Sequence, residues 1–149
     1  MNDEFVAYLL DIGLSQTLIG RISQLYDLYK ALVPEPFDRI FVEDFIDESG
    51  GRQYPALWFF SKNYLYEIGS FVEKDSLLII PIDGAIDELR LTPSNYDFIT
   101  PQATSKLTVT FTVSLGLTAS LVASRKNCTY LIKLIRDYHF KRFYSEDTD

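Results

Sequence analysis

The segment from Lys106 to Tyr144 constrains the fold more than any other part of the chain. Leu107, Val109, Phe111 and Val113 alternate with Thr108, Thr110 and Thr112, the period of two that a half-buried strand requires. Ser114-Leu115-Gly116 reads as a turn, after which Leu117, Ala119, Leu121 and Ala123 alternate with Thr118, Ser120 and Val122. At Ser124 the period changes. Cys128, Leu131, Ile132, Ile135, Tyr138 and His139 then recur at helical spacing, which predicts a hairpin feeding an amphipathic helix over 124–144.

The N-terminal part predicts two helices. Phe5, Val6, Leu9, Leu10 and Ile12 form an apolar side that ends at Gly13, a natural helix-terminating residue. Ser15 is an N-cap candidate for a second helix whose apolar side is Leu18, Ile22, Leu25, Tyr29 and Leu32. Pro34 and Pro36 stop it, since proline lacks the amide donor and disfavours helix in the residue before it. From Phe37 to Ile99 the texture is that of strands. Arg39–Asp47 is broken by Glu48-Ser49-Gly50-Gly51-Arg52, and Tyr54–Phe60 and Tyr64–Ile68 flank the turn Ser61-Lys62-Asn63. Leu77–Ile82 is a continuous apolar run, Asp83-Gly84 a turn signal, and Ile86–Leu91 and Tyr96–Ile99 are further strands. Thr100–Thr104 reads as a loop. The order is two helices, about seven strands, one helix, an α+β chain.

Composition narrows the class. With 149 residues, 47% of them hydrophobic, the chain suffices for one well-buried domain. A single cysteine excludes an internal disulfide framework, and Cys128 falls on the apolar side of the last helix, as a small buried hydrophobe would. No basic stretch leads into an apolar run at Met1-Asn2-Asp3-Glu4, and no window approaches the roughly eighteen apolar residues of a membrane span. The expectation is a cytoplasmic protein without a transmembrane segment. Its net charge of −7 is uneven: residues 1–124 hold 8 basic and 17 acidic side chains, whereas 125–143 hold 6 basic and one acidic. The body repels nucleic acid, while the last helix presents a basic side of Lys126, Lys133, Arg136, Lys141 and Arg142.

From Phe37 to Tyr144 the chain resembles the pleckstrin-homology-like superfamily. The likeness rests on the strand count, the Gly50-Gly51 break after the first strand, and the Lys106–Ala123 hairpin running into the closing helix. It implies a PH-like bent antiparallel seven-stranded sandwich or barrel over 37–144, capped by a C-terminal helix whose plug is Leu131, Ile135 and Tyr138. Residues 1–36 are then an added N-terminal helical hairpin packed on the domain, and 145–149 an acidic tail. The only tryptophan, Trp58, lies in a strand rather than in the final helix, where many members of the family carry one.

Candidate chemistry is sparse. His139 is the only histidine, so no ordinary zinc site forms, and no G-x-S-x-G or phosphate-cradling glycine loop exists. Glu43, Asp44, Asp47 and Glu48 do not converge as a calcium loop would, because in a strand Glu43 and Asp47 face one way and Asp44 and Glu48 the other. Both this run and Asp83, Asp87 and Glu88, which surround a turn, read as solvated loop acids. Phosphoinositide binding, which the resemblance raises, requires basic residues at the first hairpin, where this chain has Arg52 beside acids. The dense aromatics Tyr54, Trp58, Phe59, Phe60, Tyr64 and Tyr66 suit either a core or an interface.

No catalytic, metal or cofactor residue is therefore expected, and the function expected is a non-catalytic protein–protein interaction module. Its candidate partner surface is Glu43, Asp44, Asp47, Glu48, Arg52, Lys133 and Arg136, and the partner is another protein with a basic contact, a homo-oligomer being compatible. Two alternatives remain open: a small acidic immunity or inhibitor protein against a basic toxin, and membrane-surface or lipid binding through the basic C-terminal helix.

Overall fold

The computed structural model describes residues 1–47, 49–82, 86–94, 106–113 and 116–137. They form an α+β fold of three helices and three antiparallel sheets. The chain divides into two compact units, 1–84 and 85–149.

The first unit opens with helix α1, Asp3–Asp11, and helix α2, Gln16–Tyr29. Asn2 caps α1 by accepting the Phe5 N–H at 2.8 Å, and Ser15 caps α2 by accepting the Leu18 N–H at 3.2 Å. Between the helices Gly13 takes φ +83°, which lets its N–H reach the Leu10 carbonyl and the Leu14 N–H reach the Leu9 carbonyl. That pair of bonds satisfies carbonyls the helix end leaves open. α2 stops at Tyr29, ahead of Pro34, and its core side is Ile19, Ile22 and Leu25; Leu32, expected on that side, is 68% exposed.

Strands β1 (Arg39–Val42), β4 (Ala56–Phe60), β5 (Tyr64–Gly69) and β6 (Leu78–Pro81) form one antiparallel sheet in the order β1-β4-β5-β6. The expected strand over 39–47 is split: β1 ends at Val42, and β2 (Phe45–Ile46) pairs instead with β3 (Arg52–Gln53) in a separate ribbon. Cross-strand register places Ile40, Phe59 and Tyr66 on one sheet face and Phe41, Trp58 and Glu67 on the other. The first face lies under the helices: Phe59 stacks on Phe37 with centroids 4.2 Å apart, and Tyr26 of α2 approaches both rings. Since every β4 residue is buried, both of its faces belong to the core, which resolves the aromatic cluster as core at Trp58, Phe59, Phe60 and Tyr66.

Both edges of this sheet are managed. Glu43 N–H bonds to the Ala56 carbonyl, so the Val42 N–H points away from β4, and there it donates to Tyr8 Oη at 3.1 Å. At the other edge Ile82 N–H bonds inward to the Asn63 carbonyl, so the preceding Pro81 occupies an outward position that needs no donor.

The second unit contains β7 (Ile86–Ser94), β8 (Lys106–Val113) and β9 (Thr118–Ser124) in the order β7-β8-β9, followed by helix α3, Asn127–Ile135. β8 and β9 pair in continuous register from Lys106–Ser124 to Thr112–Thr118. Leu107, Val109 and Phe111 of β8 and Ala119, Leu121 and Ala123 of β9 are buried, as their alternation predicts. β7 runs past the expected end at Leu91 to Ser94. The expected helix start at Ser124 is corrected to Asn127, because Ser124 is the last residue of β9 and Arg125 turns the chain with φ +49°. Cys128, Leu131, Leu134 and Ile135 form the buried side of α3, whereas Ile132 is 46% exposed. Tyr138, His139, Lys141 and Arg142, the strand Tyr96–Ile99 and the loop Thr100–Thr104 lie outside the described residues. Among the described residues no helix is long and apolar enough to cross a membrane.

Candidate functional site

The acidic group singled out by the sequence occupies the connection from β1 to β3, where the carboxylates have unlike surroundings. Glu43 and Asp44 are buried, with Asp44 fully enclosed, and Glu48 lies outside the described residues. Asp44 Oδ2 accepts from Arg52 Nε at 3.0 Å and Nη2 at 2.9 Å. The Arg52 guanidinium lies 5.4 Å from the Tyr54 ring centroid, within cation–π range. Its Nη1 would sit 3.5 Å from a side chain added at Gly13. One arginine thus ties β3 to the β1–β2 connection. It compensates a buried carboxylate that would otherwise be strongly destabilising.

Asp47 organises the β2–β3 hairpin. Its Oδ1 accepts from Ser49 Oγ at 2.6 Å, Gly51 N–H at 2.8 Å and Ser49 N–H at 3.0 Å, and its Oδ2 from Gln53 Nε2 at 2.9 Å. The Ser49 hydroxyl, then the Gln53 amide and the Gly51 N–H, hold its carboxyl below the ordinary pKa. A Cβ at Gly51 would meet Asp47 Oδ2 at 3.0 Å, so a larger residue there would press on the carboxylate that organises the hairpin. Lys133 and Arg136, by contrast, are exposed residues of the second unit, on and just beyond α3. Glu43 and Asp44, expected as solvated surface acids, are therefore interior, because β1 and the Arg52 contact enclose them; Asp47 and Arg52 remain half-buried at the β2–β3 ribbon, and Lys133 and Arg136 lie exposed in the other unit.

Several polar groups gave no signal in the sequence. Glu35, held between Pro34 and Pro36, accepts from Asn63 Nδ2 at 2.6 Å, Ser61 Oγ at 2.8 Å and Asn63 N–H at 2.9 Å. The Asn63 N–H is the chief cause that keeps its pKa below the ordinary value, against a smaller opposing effect of burial. Arg21 of α2 donates to the Phe71 carbonyl at 2.9 Å and the Lys74 carbonyl at 3.1 Å and pairs with Asp75, fastening the β5–β6 connection. The indole N–H of Trp58 is buried and has no hydrogen-bond partner among the described residues. Glu67, opposite Trp58 on β5, is a half-buried carboxylate whose pKa is raised by that burial. A lone acid at an alternating position of Tyr64–Ile68 was the available cue for Glu67.

The arrangement holds charge and shapes loops. Among the described residues no three His, Cys, Asp or Glu side chains come together as metal ligands. Cys128 is buried, its thiol 3.4 Å from the Ala123 carbonyl oxygen. No family model, no curated protein and no solved structure matches the chain.

Proposed function

We propose that the chain is a non-catalytic protein-interaction module on a pleckstrin-homology-like scaffold, and that its partner presents a basic contact. The scaffold reading is supported by strand order. A four-stranded antiparallel sheet is followed by a three-stranded one and then by a helix, and the β2–β3 ribbon lies within the connection from β1 to β4.

The observation that carries the functional reading is the charge of residues 1–84, which hold 6 basic and 14 acidic side chains, a net of −8. Asp3, Glu4, Asp11, Asp27, Asp38, Glu73 and Asp75 are exposed, against the exposed bases Lys30, Arg39, Lys62 and Lys74. A surface of this sign attracts a basic protein and accelerates its association. Contact through side chains suits this unit better than addition of a strand, because Tyr8 and Pro81 occupy the sheet edges.

The test is quantitative affinity purification of the full tagged chain from its host at physiological salt, followed by rate measurements on the recovered protein. A near-stoichiometric basic partner whose association slows with added salt supports the reading. A basic nuclease toxin in that position selects the inhibitor form of it. A partner whose association is indifferent to salt overturns it.

A further inference from the structure

Five carboxylates of the first unit are compensated by described neighbours, among them the half-buried Glu35 and Asp47 and the buried Asp44. Asp44 has Arg52, Asp75 has Arg21, Asp27 has Lys30, and Glu35 and Asp47 are each surrounded by hydrogen-bond donors. Glu67 differs. It is half-buried, and no hydrogen bond or ion pair compensates it among the described residues. A partly desolvated carboxylate without a counter-charge is unfavourable until a cation reaches it.

Its neighbours on the same sheet face say which cation fits. Across one strand boundary Glu67 faces the buried Trp58, and across the other it faces Leu78, which is 56% exposed. Two residues further along β5 is Gly69, and a Cβ there would lie 3.6 Å from Glu67 Oε1, so the carboxylate leans over a position without a side chain. On its solvent side the acid is thus bordered by an aliphatic surface. A lysine or arginine satisfies both parts, because its methylene stem covers apolar surface while its head meets the carboxylate. One carboxylate supplies too few oxygen ligands for a calcium ion.

We infer that Glu67 and Leu78 form the anchor point of the interaction surface and receive a lysine or arginine side chain of the partner protein. This deepens the proposed function and rests on it. The Glu67 carboxylate takes the cationic head, and Leu78 takes the stem.

The test uses the full chain with pentylammonium chloride as a lysine side-chain probe and pentanol as its neutral counterpart, read by amide chemical shifts. The expected result is a saturable shift at Glu67, Gly69 and Leu78 with pentylammonium. Binding should weaken about tenfold both for pentanol and in Glu67→Gln, the loss of one charge-assisted contact. Glu73→Gln, an exposed acid of the same unit, should leave the shifts unchanged. Trp58, the sole tryptophan, verifies by its fluorescence that each variant is folded. Equal responses to pentanol and pentylammonium, or an unaltered response in Glu67→Gln, overturn the anchor point. If the probe binds at Glu67 but purification yields no basic partner, the proposed function fails. If a basic partner binds wild type and Glu67→Gln within about twofold, the anchor fails and the function stands.

Discussion

Residues 1–84 and 85–149 solve the burial problem in different ways. In the second unit β8 and β9 alternate buried aliphatic or aromatic residues with Thr108, Thr110, Thr118 and Ser120, the pattern of a sheet with one face in the core. In the first unit β4 is buried at all five positions, and the face carrying Phe59 lies beneath Tyr26 of α2. Charge divides along the same line, with −8 on the first unit and +1 on the second. A sheet whose strand β4 is enclosed on both sides needs edges and loops fixed by particular polar contacts, and these are what Tyr8, Arg21, Glu35 and Arg52 provide.

Core truncation is the strongest way to break this comparison. Phe59→Ala should lower the stability reported by Trp58 fluorescence by about 3–5 kcal/mol, and Leu121→Ala should lower protection of the β8–β9 amides by about 2–5 kcal/mol. If the division at residue 84 is also a division of cooperativity, hydrogen exchange will show each loss confined to its own unit. Equal loss in both would make the chain one cooperative body.

A smaller effect probes the β1 edge. Tyr8→Phe keeps the ring and removes the acceptor of the Val42 N–H, so stability should fall by about 1–3 kcal/mol, with faster exchange of the Val42 amide. Unchanged exchange there would show that this edge does not depend on the hydroxyl.

The carboxylates of the first unit should respond to pH with opposite signs. Glu35 has a lowered pKa, so its contribution is present at neutral pH and is lost as pH falls below the ordinary carboxylate range, about pH 4. Glu67 has a raised pKa, so the fold favours its protonated form, and its unfavourable contribution appears as pH rises above that range. Glu67→Gln should therefore stabilise the protein at neutral pH with a gain that fades on acidification. Glu35→Gln should destabilise it with a loss that fades in the same direction. Urea midpoints measured across pH check both, and parallel slopes would contradict the assignments. The smallest effect belongs to the open face of the second unit, where Thr110 Oγ1 and Ser120 Oγ lie 3.0 Å apart. Thr110→Ala should cost about 0.2–1 kcal/mol in thermal denaturation.

The same contrast explains what the sequence made legible. Alternation in Lys106–Ala123 marks both strands and their buried sides, because one face is wet and the other dry. Ala56–Phe60 is recognisable as a strand, but continuous burial carries no indication of which element covers which face. The split between β1 and β2 is not legible because it accompanies Asp44 meeting Arg52 across the hairpin, a pairing that strand periodicity does not encode. The start of α3 is not legible because Arg125, with φ +49°, occupies a conformation that residue type alone would assign to glycine or asparagine. At the candidate site, acidity was readable from composition, but which acids are buried, compensated or free depends on partners distant in sequence.

The Arg21 bracket bears on how the chain is made. α1 and α2 precede the sheet in the chain and so emerge before it during synthesis, and their caps are local, so they can form early. Their fastening to the β5–β6 connection, however, needs Phe71, about fifty residues downstream of Arg21. Until the ribosome has delivered that connection, Ile19, Ile22 and Leu25 have no sheet to cover, and the nascent helices present an apolar stripe that a chaperone could hold.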